Sequence, residues 1–361
     1  MDIVFICTRS ITFNTFLKSQ ANYFLKKGDR VNVVCQDIEN LIFKKKLSFK
    51  ISFPVNYFQI INIFKYIKIY FEIRELVKKK KSSVFYIHTP LASYIFRFFT
   101  FFDNLNLVYF VHGFRFSSNT NFLKNFFFKL IKKILSIRKN TIITINNEDY
   151  DYAKNNLLGK NISYKLNGVG LNKISRKKRI NYKKKINKLI VIAAYKKSKG
   201  YLEILKIAES LNDSKLKIDC YGYGDFKKFE KIKLKKKLKN ISFNKFDKNL
   251  KKKIKEYDLL IHMSEREGLP VSVMECLTEG LPVICKNIRG NNDLVKDGFN
   301  GFFVNSYKEA IFKIFYLNME NKIFNLMRIN ASKSITNVYS QKYINAKVYK
   351  ILKNNIKLKY K

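Results

Sequence analysis

The sequence has no tryptophan, only 4 prolines, 13 glycines and 3 histidines among its 361 residues. So little glycine and proline excludes collagen-like and low-complexity chains. Hydrophobic residues still make up 47% of the chain, which is enough for two domains of ordinary size, each with its own core.

The cysteines also exclude several classes of protein. They are odd in number and include no C-x-x-C pair: Cys7, Cys35, Cys220, Cys276 and Cys285. This argues against a disulfide or zinc framework and predicts buried thiols in a reducing compartment. No cluster of His, Asp and Glu has the spacing of a metal site, so we expect no metal and no cofactor.

Long apolar runs are missing as well. No run of 18 or more apolar residues occurs, so no transmembrane helix is expected. The first residues, MDIVFIC, begin like a strand and lack the charged start and apolar stretch of a signal peptide. We therefore expect a cytoplasmic protein, with the inner face of the cell membrane as a further location.

Acidic residues are few, 27 against 72 Lys and Arg, which gives a net charge of +45. One interpretation is a polyanionic partner, namely nucleic acid, an anionic membrane or a phosphorylated substrate. The other is a compositional bias that enriches Lys, Asn, Ile, Phe and Tyr together. The basic residues are spread over the whole chain without a nucleic-acid-binding module, so we expect no nucleic-acid partner.

Short apolar runs alternate with helical patterns such as 14–27 and 60–80, which predicts parallel α/β layers. The runs expected to form strands are 3–7, 31–35, 84–87, 107–111, 141–145, 189–194, 216–222, 258–263 and 282–285. The basic segment 173–188 interrupts this alternation. We therefore predict an acceptor-side domain over 1–172, a linker over 173–188, a second domain over 189–339 and a terminal helix within 340–361. Val348, Ile351 and Leu352 are expected on one face of that helix, with Tyr343.

The segment 258–304 carries the most specific pattern. A strand ends near Met263, a short loop contains Glu267 and Gly268, and Pro270 is expected at the first position of a helix. A helix N-terminus at the carboxyl end of a strand offers free N–H groups to an anion such as a diphosphate. Glu267 and Glu275 then place one carboxylate before the helix and one inside it, both able to accept hydrogen bonds from hydroxyl groups.

These residues resemble glycosyltransferase family 4, including its capsule, exopolysaccharide and lipid-linked oligosaccharide members. The two glutamates match the E-x7-E pattern within SEREGLPVSVMEC, which is followed by GLPVI and IRGNNDLV. The resemblance covers about 1–340 and implies the GT-B fold, two Rossmann-like domains facing across a cleft. It also implies that the terminal helix returns to the first domain.

The resemblance further implies a metal-free, retaining transfer of sugar from a nucleotide-sugar, best matched by UDP, to a glycan or polyprenyl-linked acceptor. Glu267 would bind the donor sugar and Glu275 the ribose. Lys199, which precedes Gly200 as in the K-G step of the family, would bind the diphosphate. Gly268, Leu269, Pro270 and Val271 complete the predicted donor site.

Two other segments resemble the family. His112 in VHGFRF corresponds to a histidine that reaches the donor sugar, whereas His88 is interpreted as structural. At the spacing of the usual upstream arginine this chain has Ala194, and Lys196 or Lys197 would take that role. The loop 8–16 lacks the glycines of many members, and Asn14 is its candidate contact.

The helix expected over 121–135 has two interpretations. Its apolar residues form one stripe, with Lys124, Lys132 and Lys133 away from it. It is either a core helix with a solvated basic face or a helix that lies on an anionic membrane. Rival functions for the whole chain are a basic nucleic-acid or membrane-binding protein, another GT-B enzyme, and a degenerate transferase that acts as a scaffold.

Overall fold

The computed structural model describes residues 1–43, 48–54, 62–114, 122–138, 140–159, 161–172, 174 and 181–359. The chain forms two compact units. The first comprises Met1–Gly170 and Gln341–Lys361, and the second comprises Leu171–Ser340. Of the predicted linker 173–188, residues 173 and 175–180 lie outside the described part of the chain.

The first unit is built on a parallel sheet with the strand order β3-β2-β1-β4-β5-β6-β7 among the described residues. Its central strands are buried on both faces, as their continuous apolar runs predict. The strands are β1 (Asp2–Ile6), β2 (Arg30–Cys35), β3 (Ser48–Lys50), β4 (Val84–Ile87), β5 (Asn106–Val111), β6 (Thr141–Thr144) and β7 (Ile162–Lys165).

Helices cover this sheet, and apolar residues such as Ile69, Ile73 and Phe96 pack with the strands into one core. The helices are α1 (Ser10–Thr12), which runs through the π-helical turn Phe13–Leu17 into α2 (Lys18–Lys26), then α3 (Ile63–Lys80), α4 (Pro90–Phe99), α5 (Phe122–Leu135) and α6 (Asn147–Asn156).

The second unit repeats the architecture with the order β10-β9-β8-β11-β12-β13, again parallel. Its strands are β8 (Lys188–Ile192), β9 (Lys217–Gly222), β10 (Ile241–Lys245), β11 (Leu259–His262), β12 (Val283–Cys285) and β13 (Gly301–Phe303). Its helices are α7 (Tyr201–Ser210), α8 (Lys227–Lys235), α9 (Leu250–Lys253), α10 (Val271–Thr278), α11 (Tyr307–Met319) and α12 (Asn321–Ser334). The prediction of two Rossmann-like α/β domains is therefore confirmed.

The last helix, α13 (Gln341–Lys359), packs on the first unit. Ser19 Oγ donates to Gln341 Oε1 at 2.7 Å, and Thr141 Oγ1 donates to Asn355 Oδ1 at 2.6 Å. The buried face contains the predicted Val348, Ile351 and Leu352 together with Ile344. Tyr343 is 38% exposed and lines one concave surface together with Ile351, Tyr164 and Leu166.

Helix α5 is not a core helix, and that interpretation of 121–135 is wrong. Leu135, at the end of the stripe, is buried, but the other six apolar side chains are 38–63% exposed: Leu123, Phe126, Phe127, Leu130, Ile131 and Ile134. Lys132 is instead buried, with Nζ 3.1 Å from the centre of the Phe114 ring. The helix therefore presents its apolar side outward. Among the described helices, none combines the length and the apolar character needed to cross a bilayer.

Candidate functional site

The loop after β11 leads directly into α10, as the sequence predicts. Pro270 is the N-cap residue, with φ −71° and ψ 116°, so the helix begins one position later than expected, at Val271. The cap has no side chain that accepts from the first turn. The first N–H groups of a helix have no partner within it, so this end of α10 can accept an anion.

Glu267 and Lys199 form the central contact of the site. Lys199 Nζ donates to Glu267 Oε1 at 2.5 Å, and the Glu267 side chain is 14% exposed. The two residues follow β11 and β8, which are neighbours in the sheet. The carboxyl ends of parallel strands meet at one edge, and that is where ligands bind in open α/β sheets.

His262 is the third charged or polar group at this contact. It ends β11, is buried, and places Nε2 3.3 Å from Glu267 Oε1. Burial acts to raise the pKa of Glu267, but His262 and Lys199 together outweigh it and lower that pKa to about 2. Glu267 is therefore a carboxylate at neutral pH. The sequence predicts no role for His262, because a histidine at the end of a strand has no spacing signal.

Lys199 owes its position to a tight turn. The 3₁₀ turn Lys197–Lys199 ends at Gly200, whose φ of 76° is left-handed. A Cβ at Gly200 would lie 2.2 Å from the Met263 carbonyl oxygen, so only glycine fits. The amide of Glu265 also donates to the Ser198 carbonyl at 3.0 Å, which joins the two loops.

Glu275 lies inside α10 in a different environment. Lys251 Nζ, from α9, lies 3.8 Å from its Oε1. Burial raises the pKa of Glu275, Glu279 adds to the rise, and Lys251 opposes it. The two glutamates of the motif therefore have pKa shifts of opposite sign. Sequence spacing gives no indication of this difference, because it arises from the neighbours of each side chain.

The segment after β12 contacts the rest of this loop. Arg289 Nε donates to the Glu267 carbonyl at 3.2 Å, and Arg289 is buried. A Cβ at Gly290 would lie 2.3 Å from the Gly268 carbonyl oxygen. Leu269 is buried. Arg289 and Gly290 thus pack closely against the backbone between Glu267 and α10.

His112 lies in the first unit, where it contacts His88. His88 Nδ1 and His112 Nε2 are 3.1 Å apart and share one hydrogen bond. Burial lowers the pKa of His112 to about 4, and burial together with His112 holds the pKa of His88 well below its usual value. Both imidazoles are therefore neutral at pH 7. The structure brings together two histidines that the sequence analysis treated separately.

Two other predicted contacts have specific surroundings. Residues from Ser10 onward in the segment 8–16 are helical rather than a loop. Asn14 Nδ2 donates to the Asn40 carbonyl and its Oδ1 accepts from the Ile42 amide, both at 2.9 Å. The Asn14 amide is thus engaged within the first unit. Lys196 and Lys197, the predicted substitutes for an arginine at Ala194, are both exposed.

An aromatic pair stands at the same edge of the second sheet. Tyr223 follows β9 and Phe246 follows β10, and their rings stack with centres 4.1 Å apart. Both rings are about half exposed, at 51% and 42%. The sequence does not predict this pair, because its members come together only when β9 and β10 align. Within the described parts of the chain, no group of three His, Cys, Asp or Glu side chains is arranged to hold a metal ion.

Solved structures share this architecture. Sucrose-phosphate synthase from Thermosynechococcus elongatus superimposes with a TM-score of 0.81 at 11% identity, covering 98% of both chains. HepE from Anabaena, solved in complex with UDP and glucose, gives 0.77 at 14% identity, covering 98% of this chain and 100% of that one. At such low identity these matches show the fold alone, which is GT-B.

Sequence models identify the activity class. Residues 172–334 match the model described as Glycosyl transferases group 1, and residues 5–146 match the one described as Glycosyl transferase 4-like. The protein is a GT-B glycosyltransferase.

Two bacterial proteins are similar in sequence to this glycosyltransferase. One is an uncharacterised 41.2 kDa protein in the cps region of Klebsiella pneumoniae, 28% identical over 68% of this chain and 71% of the relative. The other is the UDP-Gal:alpha-D-GlcNAc-diphosphoundecaprenol alpha-1,3-galactosyltransferase of Escherichia coli, 24% identical over 86% of this chain and 85% of the relative.

Proposed function

We propose that this glycosyltransferase belongs to family 4 and transfers a hexosyl or N-acetylhexosaminyl group, with retention, from a UDP-sugar to a surface glycan or a polyprenyl-linked glycan. The observation that carries the proposal is the contact between Lys199 and Glu267 beside the uncapped N-terminus of α10. The site offers one cation and free N–H groups to a diphosphate, and carboxylates to hydroxyl groups.

Each donor contact follows from this arrangement. The diphosphate binds at Val271 and Lys199, the sugar hydroxyls bind at Glu267, and the ribose binds at Glu275. The stacked rings of Tyr223 and Phe246 are an exposed surface of the kind on which a nucleobase stacks. UDP is favoured because the Escherichia coli relative is named for UDP-Gal and HepE was solved with UDP.

In the proposed reaction the bond between the anomeric carbon and the diphosphate oxygen breaks as the acceptor oxygen bonds to the same face of that carbon. The acceptor proton passes to an oxygen of the departing diphosphate. Lys199 and the N–H groups of α10 stabilise the negative charge that develops there. No metal or other cofactor takes part. His112 is proposed as a further contributor, from the first unit.

The transfer is tested with purified protein and UDP-, GDP- and ADP-sugars, on the wild type and on Glu267→Gln. We expect one nucleotide to raise the melting temperature of the wild type and its sugar to be hydrolysed or transferred with retention. Glu267→Gln should bind the nucleotide but lower turnover by about 100-fold, the size of effect seen when one transition-state contact is removed. Binding of polyanions without any nucleotide would instead favour a scaffold or nucleic-acid role.

We also propose that the first unit docks on an anionic membrane surface. The exposed stripe of α5 contains no acidic residue, and Lys129 and Lys133 are exposed on the same helix. Ring contacts join neighbouring helices, between Tyr94 of α4 and Phe128 of α5 and between Tyr70 of α3 and Phe99 of α4. Both neighbours add exposed apolar side chains: Ile63, Phe64, Ile67 and Phe71 on α3, Phe98 on α4 and Phe102 just after it.

The exposed apolar side chains and the lysines of this surface together favour an anionic membrane as its binding partner. Exposed apolar side chains insert at the boundary of the acyl chains, while lysines attract anionic headgroups. A polyprenyl-linked acceptor would be held at that boundary. The five free, buried cysteines suit a reducing compartment, so we place the protein at the cytoplasmic face of the membrane.

Vesicle flotation tests this docking. The wild type should bind vesicles rich in anionic lipid at low salt and bind neutral vesicles weakly. Phe126→Ser with Phe127→Ser should weaken binding by about 10-fold or more, since burial of one such ring contributes ~1.5–3 kcal/mol. The matched control replaces equally exposed residues of the second unit, Phe312→Ser with Leu326→Ser. Equal losses in both double variants would refute the assigned surface.

A further inference from the structure

One buried histidine atom in the donor site has no hydrogen-bond partner. His262 is 3% exposed, and its Nε2 is a buried atom without a hydrogen bond to any described group. That atom nevertheless lies 3.3 Å from Glu267 Oε1. Buried polar atoms in folded proteins are nearly always paired, so this arrangement calls for an explanation.

Lys199 contacts the same carboxylate oxygen. Lys199 Nζ donates to Glu267 Oε1 at 2.5 Å, so the two cationic or donor groups converge on one atom. The lysine contact, at 2.5 Å, is the closer of the two. His262 Nε2 is 3.3 Å from this oxygen and forms no hydrogen bond with it.

Binding of a donor changes this balance, a step that rests on the proposed function. If Lys199 turns to the diphosphate, Glu267 loses its charged partner while its side chain stays mostly buried. A buried carboxylate that loses a partner is costly, because its charge is neither solvated nor paired. Glu267 then needs a second donor that is already in place.

We propose that His262 is a positioning residue that takes over Glu267 when Lys199 moves to the diphosphate. A shift of a few tenths of an ångström would bring Nε2–H to an ordinary hydrogen-bond distance from Oε1. The exchange leaves Glu267 fixed and ionised to accept from the sugar hydroxyls, and it frees Lys199 for the leaving group. Arg289, which donates to the Glu267 carbonyl at 3.2 Å, holds the backbone while the side-chain partner changes.

The first test needs no substrate. Lys199→Met removes the lysine contact permanently, so His262 should then hold Glu267 in the free protein. We expect His262→Phe to lower the melting temperature by about 2–4 °C more in the Lys199→Met background than in the wild type, the shift typical of one moderate interaction in a domain of this size. A cost in the Lys199→Met background that is no larger than in the wild type would overturn the proposal.

The second test uses the donor. His262→Phe should raise the donor KM about 10-fold, because release of Lys199 then leaves Glu267 unpaired. His262→Gln, which places an N–H near the position of Nε2, should restore most of that loss. Equal behaviour of the Phe and Gln variants would show that His262 only fills space. If no nucleotide-sugar binds to the wild type, the proposed function fails, while the stability comparison still decides whether His262 can replace Lys199.

Discussion

At the scale of single residues, the two glutamates of the motif differ in a way that the sequence does not indicate. The strand end near Met263 and the proline at 270 correctly predicted a loop position for Glu267 and a helix position for Glu275. The pKa of Glu267 is lowered by His262 and Lys199, which outweigh burial, whereas burial raises that of Glu275. These partners come from β8, β11 and α9, so only the folded sheet brings them together.

Glu267→Gln should destabilise the folded protein at neutral pH by about 1–3 kcal/mol, because Lys199 loses its anionic partner. The folded pKa of about 2 lies below the unfolded value of about 4.3. The carboxylate therefore stabilises the fold fully above pH ~4.3, and the benefit is lost as the pH falls towards 2. Urea unfolding at a series of pH values should show the two proteins converging in acid. A difference that stays constant would contradict the ion pair.

Glu275→Gln should have the opposite effect on stability. Because the folded pKa is raised, the carboxylate opposes folding above its unfolded pKa and has no effect well below it. We expect the variant to be as stable as the wild type at pH 7 or more stable, yet to bind the donor nucleotide about 10-fold more weakly. Calorimetry with UDP measures both, and Glu279→Gln, one turn further along, is the control that should keep its affinity.

At the scale of helices and strands, the position of a strand in its sheet determined whether the sequence predicted it. The central strands were all predicted, because continuous apolar runs mark burial on both faces. The four that were missed are β3, β7, β10 and β13, which are the edges of the two sheets. Edge strands are half exposed, and ISYK and ISFNK accordingly mix polar and apolar residues. Their pairing depends on a neighbour distant in sequence.

The inverted helix α5 shows a second limit. Its apolar stripe predicts an amphipathic helix but not the direction in which the stripe faces. The Lys132 side chain is buried against Phe114, whereas Phe126 and Phe127 are exposed. The period of the apolar residues shows only that the helix has one apolar and one polar face. The same pattern therefore occurs in a core helix and in a helix that binds a membrane surface.

The turn before α7 allows a prediction for a single methyl group. Gly200→Ala should destabilise the protein by more than about 1–2 kcal/mol, since the left-handed φ alone costs that much and the new Cβ meets the Met263 carbonyl oxygen at 2.2 Å. It should also weaken donor binding by displacing Lys199. Gly28→Ala is the matched control, with a φ of +80° and no atom within 4 Å of the new Cβ. Similar losses in thermal unfolding for both variants would rule out the clash.

At the scale of the whole molecule, the alternation of runs predicted two α/β units, and both are present. The resemblance also predicted that the terminal helix returns to the first domain, which periodicity alone could not indicate. Helix α13 lies with Met1–Gly170, held by buried side chains such as Val348 and Leu352. The sequence pattern does not show on which unit a helix packs, because that depends on these tertiary contacts.

Leu352→Ala should therefore weaken the first unit although it lies after the second in the chain. Loss of a fully buried leucine costs about 2–5 kcal/mol. Hydrogen exchange measured by mass spectrometry should rise in β1, β5 and β6 and stay unchanged in β8 to β12. The control is Leu317→Ala on α11, equally buried in the second unit, which should give the reverse pattern. Uniform acceleration in both variants would mean that the two units unfold together.

Helix α13 follows the second unit in the chain but packs on the first. The two units are therefore completed at different times during synthesis. Residues 171–340 are contiguous, so the second unit can fold as soon as they leave the ribosome. The first unit emerges earlier but lacks the helix that contacts Ser19 and Thr141 until residues 341–359 have also been translated. The half of the enzyme that is made first is thus completed last, and until then its uncovered apolar surface is the part of the nascent chain that a chaperone would bind.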